Sequence, residues 1–184
     1  YLSLMAAARR PELFRAVILL DAPLLSRFQG SALAFAKRVG FIDRITLAGT
    51  TRGRRSVWPS AAAALEHFRS KAAFRAFDPH CLEDYVTFGI QPHPDGVTLR
   101  FDTDVEYRIY RTIPHDVARA ARRLSVPAGL IVGIDSELCA RLGLDASRRH
   151  LRIGAVDGGH LFPFEHPAQA AAAVVAMAKD LGVL

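Results

Sequence analysis

Three uninterrupted aliphatic runs set the strongest limit on how this chain can fold. They are "AVILLDAP" (16–23), "AGLIVGID" (128–135) and "LRIGAVDGG" (151–159), and none of them alternates apolar with polar residues. An alternating strand keeps one face in water, whereas a continuous one must be covered on both faces, as strands inside a parallel sheet are. Each run closes on Asp or Gly, the punctuation of a loop leaving a strand's carboxyl end. The sequence therefore predicts parallel strands whose loops gather at one edge.

Helical segments flank these runs. Leu2 to Arg9 is apolar and Ala-rich and is stopped by Pro11. Asp116 to Leu124 places Val117, Ala120, Ala121 and Leu124 on one face, with Asp116 as N-cap. A last helix follows Pro167 and runs through "AQAAAAVVAMAKDLG", with Pro at its first turn and Gly182 near its end. Strand and helix in alternation read as an α/β sheet. Residues 24–115 interrupt that alternation with the helical periods "SALAFAKRVGFI" (31–42), "SAAAALEHFRSKAAFRAF" (60–77) and "CLEDYVTFGI" (81–90). "DGVTLRFD" (95–102) reads as a turn and a short strand. The expected organisation is a core of 1–23 and 116–184 with a mostly helical insertion at 24–115.

Charge and composition narrow the function classes. The net charge is +6, but the cations are almost all arginines, scattered except for "RGRR" at Arg52–Arg55. That cluster carries no aromatic residue on which a base could stack, so no nucleic-acid partner is expected. No apolar run approaches the roughly 18 residues of a membrane span, and no membrane association is expected. Cys81 and Cys139, the only cysteines, lie far apart in no metal-ligand spacing. They read as reduced thiols, which fits a cytoplasmic protein without a metal or other cofactor.

One motif carries chemistry. In "VDGGHLFPFEHP" (156–167), His160 follows two glycines at the end of an apolar run, with an acid and Pro167 just beyond. A buried structural histidine needs no glycines beside it. A histidine that must present its ring at a loop tip does. None of the other histidines has a comparable setting: His67, His80, His93 and His150 fall on surface-like stretches, His166 sits like a helix N-cap, and His115 follows the insertion.

These segments together resemble the α/β-hydrolase fold family over nearly the whole chain. "YLSLMAAARRPELFRAVILLDAP" is similar to the helix, Pro-Glu and strand that follow a G-x-S-x-G nucleophile elbow. The stretch 24–115 resembles the family's helical cap, "VPAGLIVGIDSE" its acid-bearing strand, and "GGHLFPFEHPAQAAAAV" its histidine loop and final helix. The resemblance implies the C-terminal part of such an enzyme, with His160 as general base. For the acid it leaves three positions open. The usual place, three residues after the glycine, is Ser136, so Asp135, one residue earlier, is the first choice. Asp21, in "LLDAP", is the second, because some members carry the acid there, and Glu137 is the third.

No G-x-S-x-G occurs in the chain, and Ser3 lies too far along its helix to be the elbow. The resemblance places the nucleophile and oxyanion donors upstream of Tyr1, so a fragment inactive by itself is expected. Strand 16–21 would then show an unpaired apolar edge, and the isolated chain would aggregate or pack loosely. The activity implied is hydrolysis of a carboxylic ester or related acyl substrate, with Trp58, Phe35 and Phe41 among the aromatics expected to line an apolar acyl pocket. Two alternatives stay open: an Asp nucleophile, as in an epoxide hydrolase or dehalogenase, or a hydrolase-fold binding module without catalysis.

Overall fold

A computed structural model describes all residues from Tyr1 to Leu184. Its strands are β1 (Val17–Leu20), β2 (Val57–Trp58), β3 (Ile90–His93), β4 (Gly96–Leu99), β5 (Ala128–Gly133) and β6 (Arg152–Val156). They form two three-stranded sheets, ordered β1-β5-β6 and β2-β4-β3. The chain divides into two compact units, Tyr1–Ala32 with Pro114–Leu184, and Leu33–Ile113.

The first unit contains the three aliphatic runs as a parallel sheet. Leu20 pairs with Ile131 between β1 and β5, and Gly133 with Val156 between β5 and β6. Every residue of β5 is buried, as a continuous aliphatic run at the centre of a covered sheet requires. The edge strand β1 pairs with β5 only. Helix Leu2–Arg9 buries Leu4 and Ala7, and helix Val117–Arg123 buries Val117 and Ala121. Helix Pro167–Asp180 buries Ala170 and Met177 in a cluster with Ile131, Val156 and Phe162. Pro stands in its first turn, where a missing amide hydrogen costs nothing. Asp116 occupies the N-cap position of Val117–Arg123, but its side chain makes no capping hydrogen bond.

The second unit is less helical than its periodicity predicts. The expected helix over 60–77 stops at Arg69 and continues as a single 3-10 turn at Ala72–Phe74. Beyond helix Pro79–Gly89, β3 and β4 form an antiparallel hairpin in which His93 pairs with Gly96. β2 adds to it through Trp58 opposite Val97, a pairing between residues too distant in sequence for local pattern to reveal. The hydrophobic core of this unit gathers Trp58, Ala64, Phe68, Leu82, Val86, Ile90 and Leu99. Trp58 is only 1% exposed, so it is a packing residue here and not the pocket wall the sequence suggested. Phe35 and Phe41, by contrast, stand exposed on this unit.

Candidate active site

The carboxyl ends of β1, β5 and β6 bring three loops together. Just past β1, the Asp21 amide donates to the Ile131 carbonyl, extending the ladder by one bond. The residue then takes φ 44°, the left-handed region in which Asp is among the few non-glycine residues tolerated. That turn drives its side chain inward, and Asp21 is 1% exposed.

A buried carboxylate needs donors, and Asp21 has four. Oδ1 accepts from the Gly133 amide at 2.9 Å and from the Cys139 thiol at 3.2 Å. Oδ2 accepts from the Ser136 hydroxyl at 2.5 Å and lies 2.7 Å from His160 Nδ1. Burial pushes the Asp21 carboxyl up, but the hydrogen bonds from His160, Ser136, Gly133 and Cys139 outweigh it and hold the group below the ordinary Asp value. An ionised carboxylate only accepts, so the proton between the two residues belongs to Nδ1. In the neutral imidazole Nε2 is then the acceptor, and the ring is half exposed, with a side-chain exposure of 55%.

The histidine loop is built to hold that ring at its tip. Gly158 has φ +108°, and a Cβ there would come within 2.6 Å of Glu165 Oε2. Glu165 Oε2 in turn accepts from the Gly159 amide at 2.7 Å, closing the loop across six residues. Two residues beyond His160, Phe162 is fully buried. Burying that ring contributes about 1.5–3 kcal/mol and pins the loop to the sheet. β5 meets the same loop at Gly133, where a Cβ would stand 2.2 Å from the Gly159 carbonyl oxygen.

The structure pairs His160 with Asp21, the second of the three acids considered. Asp135 faces solvent, and only its backbone is engaged, with its amide donating to the Gly158 carbonyl. Glu137 begins the helix Glu137–Leu142 and is exposed in an ion pair with Arg141 at 3.0 Å. The physical reason is local. Ile134 and Asp135 form the outward part of the turn after β5, and the chain comes back inside at Ser136, which is 3% exposed. Ser136 thus stands at the usual acid position of the resemblance and donates to the Asp21 carboxylate that follows β1.

No role in the site falls to Ser136, Cys139 or Glu165 from sequence alone. Ser136 had a signal: a serine directly before "ELCARL" reads as an N-cap, and its Oγ does accept from the Cys139 amide at 3.3 Å. Burial and the neighbouring Asp21 raise the Cys139 thiol to about 11, so it remains a neutral donor. At the far side of the loop, the Tyr1 hydroxyl donates to the Pro23 carbonyl at 2.6 Å.

No family model and no curated sequence matches this chain. Solved structures do. A peroxisomal α/β-hydrolase, Lpx1, from Saccharomyces cerevisiae superposes with a TM-score of 0.69 over 98% of this chain and 50% of its own, at 14% identity. The chain has the α/β-hydrolase fold. An E-2-(acetamidomethylene)succinate hydrolase superposes at a TM-score of 0.74, with 19% identity over 96% of this chain and 62% of its own. An esterase of M. tuberculosis does so at 0.67, with 22% identity over 97% of this chain and 59% of its own. The chain therefore spans between 50% and 62% of the length of these α/β-hydrolase-fold structures. No helix in it is long and apolar enough to cross a membrane.

Proposed function

We propose that this chain supplies the general base, His160, and the acid, Asp21, of a catalytic triad in a hydrolase acting on a carboxylic ester or related acyl substrate. The observation that carries the reading is the 2.7 Å contact from His160 Nδ1 to an Asp21 carboxylate that is buried and held by three further donors. The nucleophile is a serine on an elbow outside these residues. Its hydroxyl attacks the acyl carbonyl while Nε2 takes the proton, and the imidazolium then returns that proton to the leaving group. Asp21 keeps the proton of Nδ1 in place, which leaves Nε2 free as base, and steadies the imidazolium in each half-reaction. The same pair would serve an aspartate nucleophile by activating water against the covalent intermediate, so the elbow residue separates the two chemistries.

The test is kinetic and uses the full-length protein with a panel of acyl esters. His160→Ala and Asp21→Asn should each lower kcat by about 10³-fold or more, whereas Asp135→Asn and Glu137→Gln should stay within a few-fold. Full activity in Asp21→Asn, or loss confined to Asp135→Asn, would overturn the assignment of the acid.

A further inference from the structure

The four donors on Asp21 divide between its two oxygens. Oδ1 is held by the Gly133 amide at 2.9 Å and the Cys139 thiol at 3.2 Å. Oδ2 is shared by the Ser136 hydroxyl at 2.5 Å and His160 Nδ1 at 2.7 Å. Ser136 therefore competes with the imidazole ring for the same oxygen.

The direction of that contact is fixed by its surroundings. An ionised carboxylate only accepts, so the single hydroxyl proton of Ser136 lies toward Oδ2. The oxygen of the same hydroxyl accepts from the Cys139 amide at 3.3 Å, so it cannot turn round without losing both partners. Ser136 and Asp21 are both buried. A hydrogen bond to a charge is strong in such a place, because water does not compete for either partner.

We infer that Ser136 is a positioning residue that sets, through Asp21, how firmly the imidazolium of His160 is held. The inference rests on the triad reading above. The proton that Ser136 directs at Oδ2 draws off part of the charge that would otherwise face the ring. A base held too firmly in its protonated form is already spent at the working pH and returns its proton slowly. Position and charge are separable here. With the Ser136 hydroxyl removed, Gly133 and Cys139 still fix the carboxylate through Oδ1, while Oδ2 turns its whole charge to His160.

The other ionisable groups around the pair are already engaged. The Cys139 thiol stays neutral, and burial pushes the Tyr1 phenol up to about 12 while it donates to the Pro23 carbonyl. On the histidine loop Glu165 accepts from the Gly159 amide. Asp135 is exposed, and Glu137 is paired with Arg141.

The experiment follows kcat/KM of the full-length protein on p-nitrophenyl butyrate across pH, together with the low-field Nδ1 proton signal in the NMR spectrum. In Ser136→Ala the acid limb of kcat/KM should move up by about 0.5–1 pH unit. The rate then falls about three- to tenfold in mild acid, and alkali restores it. The proton signal should move further to low field. Ser136→Thr should return both readouts to those of the parent, and Ser136→Cys, with a weaker donor, should fall between and carries the test if the Ala variant does not fold. Cys139→Ala acts on Oδ1 and should move the limb much less. A rate loss equal at every pH, an unmoved proton signal, or an equally large change in Cys139→Ala would each overturn the inference. Failure of the triad reading is a separate result, full activity in His160→Ala, and the proton signal is read without turnover.

Discussion

Ser136 holds the Asp21 carboxylate from one side and caps a helix from the other. Its hydroxyl donates to Oδ2 at 2.5 Å while its oxygen accepts from the Cys139 amide. Ser136→Ala removes a hydrogen bond to a charge and an N-cap together, at a cost of about 2–3 kcal/mol in urea denaturation. Ser136→Thr, which keeps both roles, should recover most of it. The pH dependence follows from the lowered Asp21 value. A carboxyl depressed in the folded state stabilises above the ordinary value of about 3.9, and that stability is lost as pH falls through the folded value. The difference between parent and Ser136→Ala should therefore be widest near neutral pH and shrink below about pH 4. A gap that stays constant into acid would show that Ser136 acts through its cap alone.

At the scale of elements, the site depends on how closely the turn after β5 and the histidine loop approach each other. Gly133 donates its amide to Asp21 while its Cα lies against the Gly159 carbonyl. A methyl group at 2.2 Å from a backbone oxygen cannot be relieved by a rotamer change. Gly133→Ala must push β5 and the loop apart. We expect a loss of about 1–3 kcal/mol by thermal denaturation. The low-field proton signal of a histidine Nδ1–H held by a carboxylate should also disappear from the NMR spectrum. Gly143, which has no atom within 4 Å of an added Cβ, provides the contrast. Substitution there strains only its own backbone, at φ +72°, and should leave that signal in place.

For the whole molecule, the two compact units have separate cores. Phe68 is buried beside Trp58, their ring centroids 5.3 Å apart, and Trp58 is the single tryptophan of the chain. Its emission therefore reports on Leu33–Ile113 alone. Phe68→Ala should destabilise the transition seen by that emission by about 3–5 kcal/mol, the range for removing a buried aromatic ring. The Nδ1 proton signal of the His160–Asp21 pair, which belongs to the other unit, should survive under native conditions. Its loss in Phe68→Ala would mean that the site draws its order from both cores.

Several features of this fold could be read directly from the residues. The three aliphatic runs specify parallel strands, and the central one, β5, is covered on both faces, whereas β1 and β6 stay partly open at the two edges of the sheet. "GGHLFPFE" specifies a tight loop because one glycine needs a positive φ and the buried Phe162 and Glu165 close the rest. His160 was legible for that reason. The identity of its partner was not, because Asp135, Asp21 and Glu137 all offer a carboxylate and the sequence does not say which way each one points. That direction comes from the left-handed turn at Asp21 and from the outward excursion of Ile134 and Asp135. β2 and the burial of Trp58 likewise follow from pairing across the hairpin, which local periodicity does not encode. Local pattern determined the strands and the loop that presents His160. Tertiary packing decided which of the three candidate carboxylates was buried and surrounded by donors.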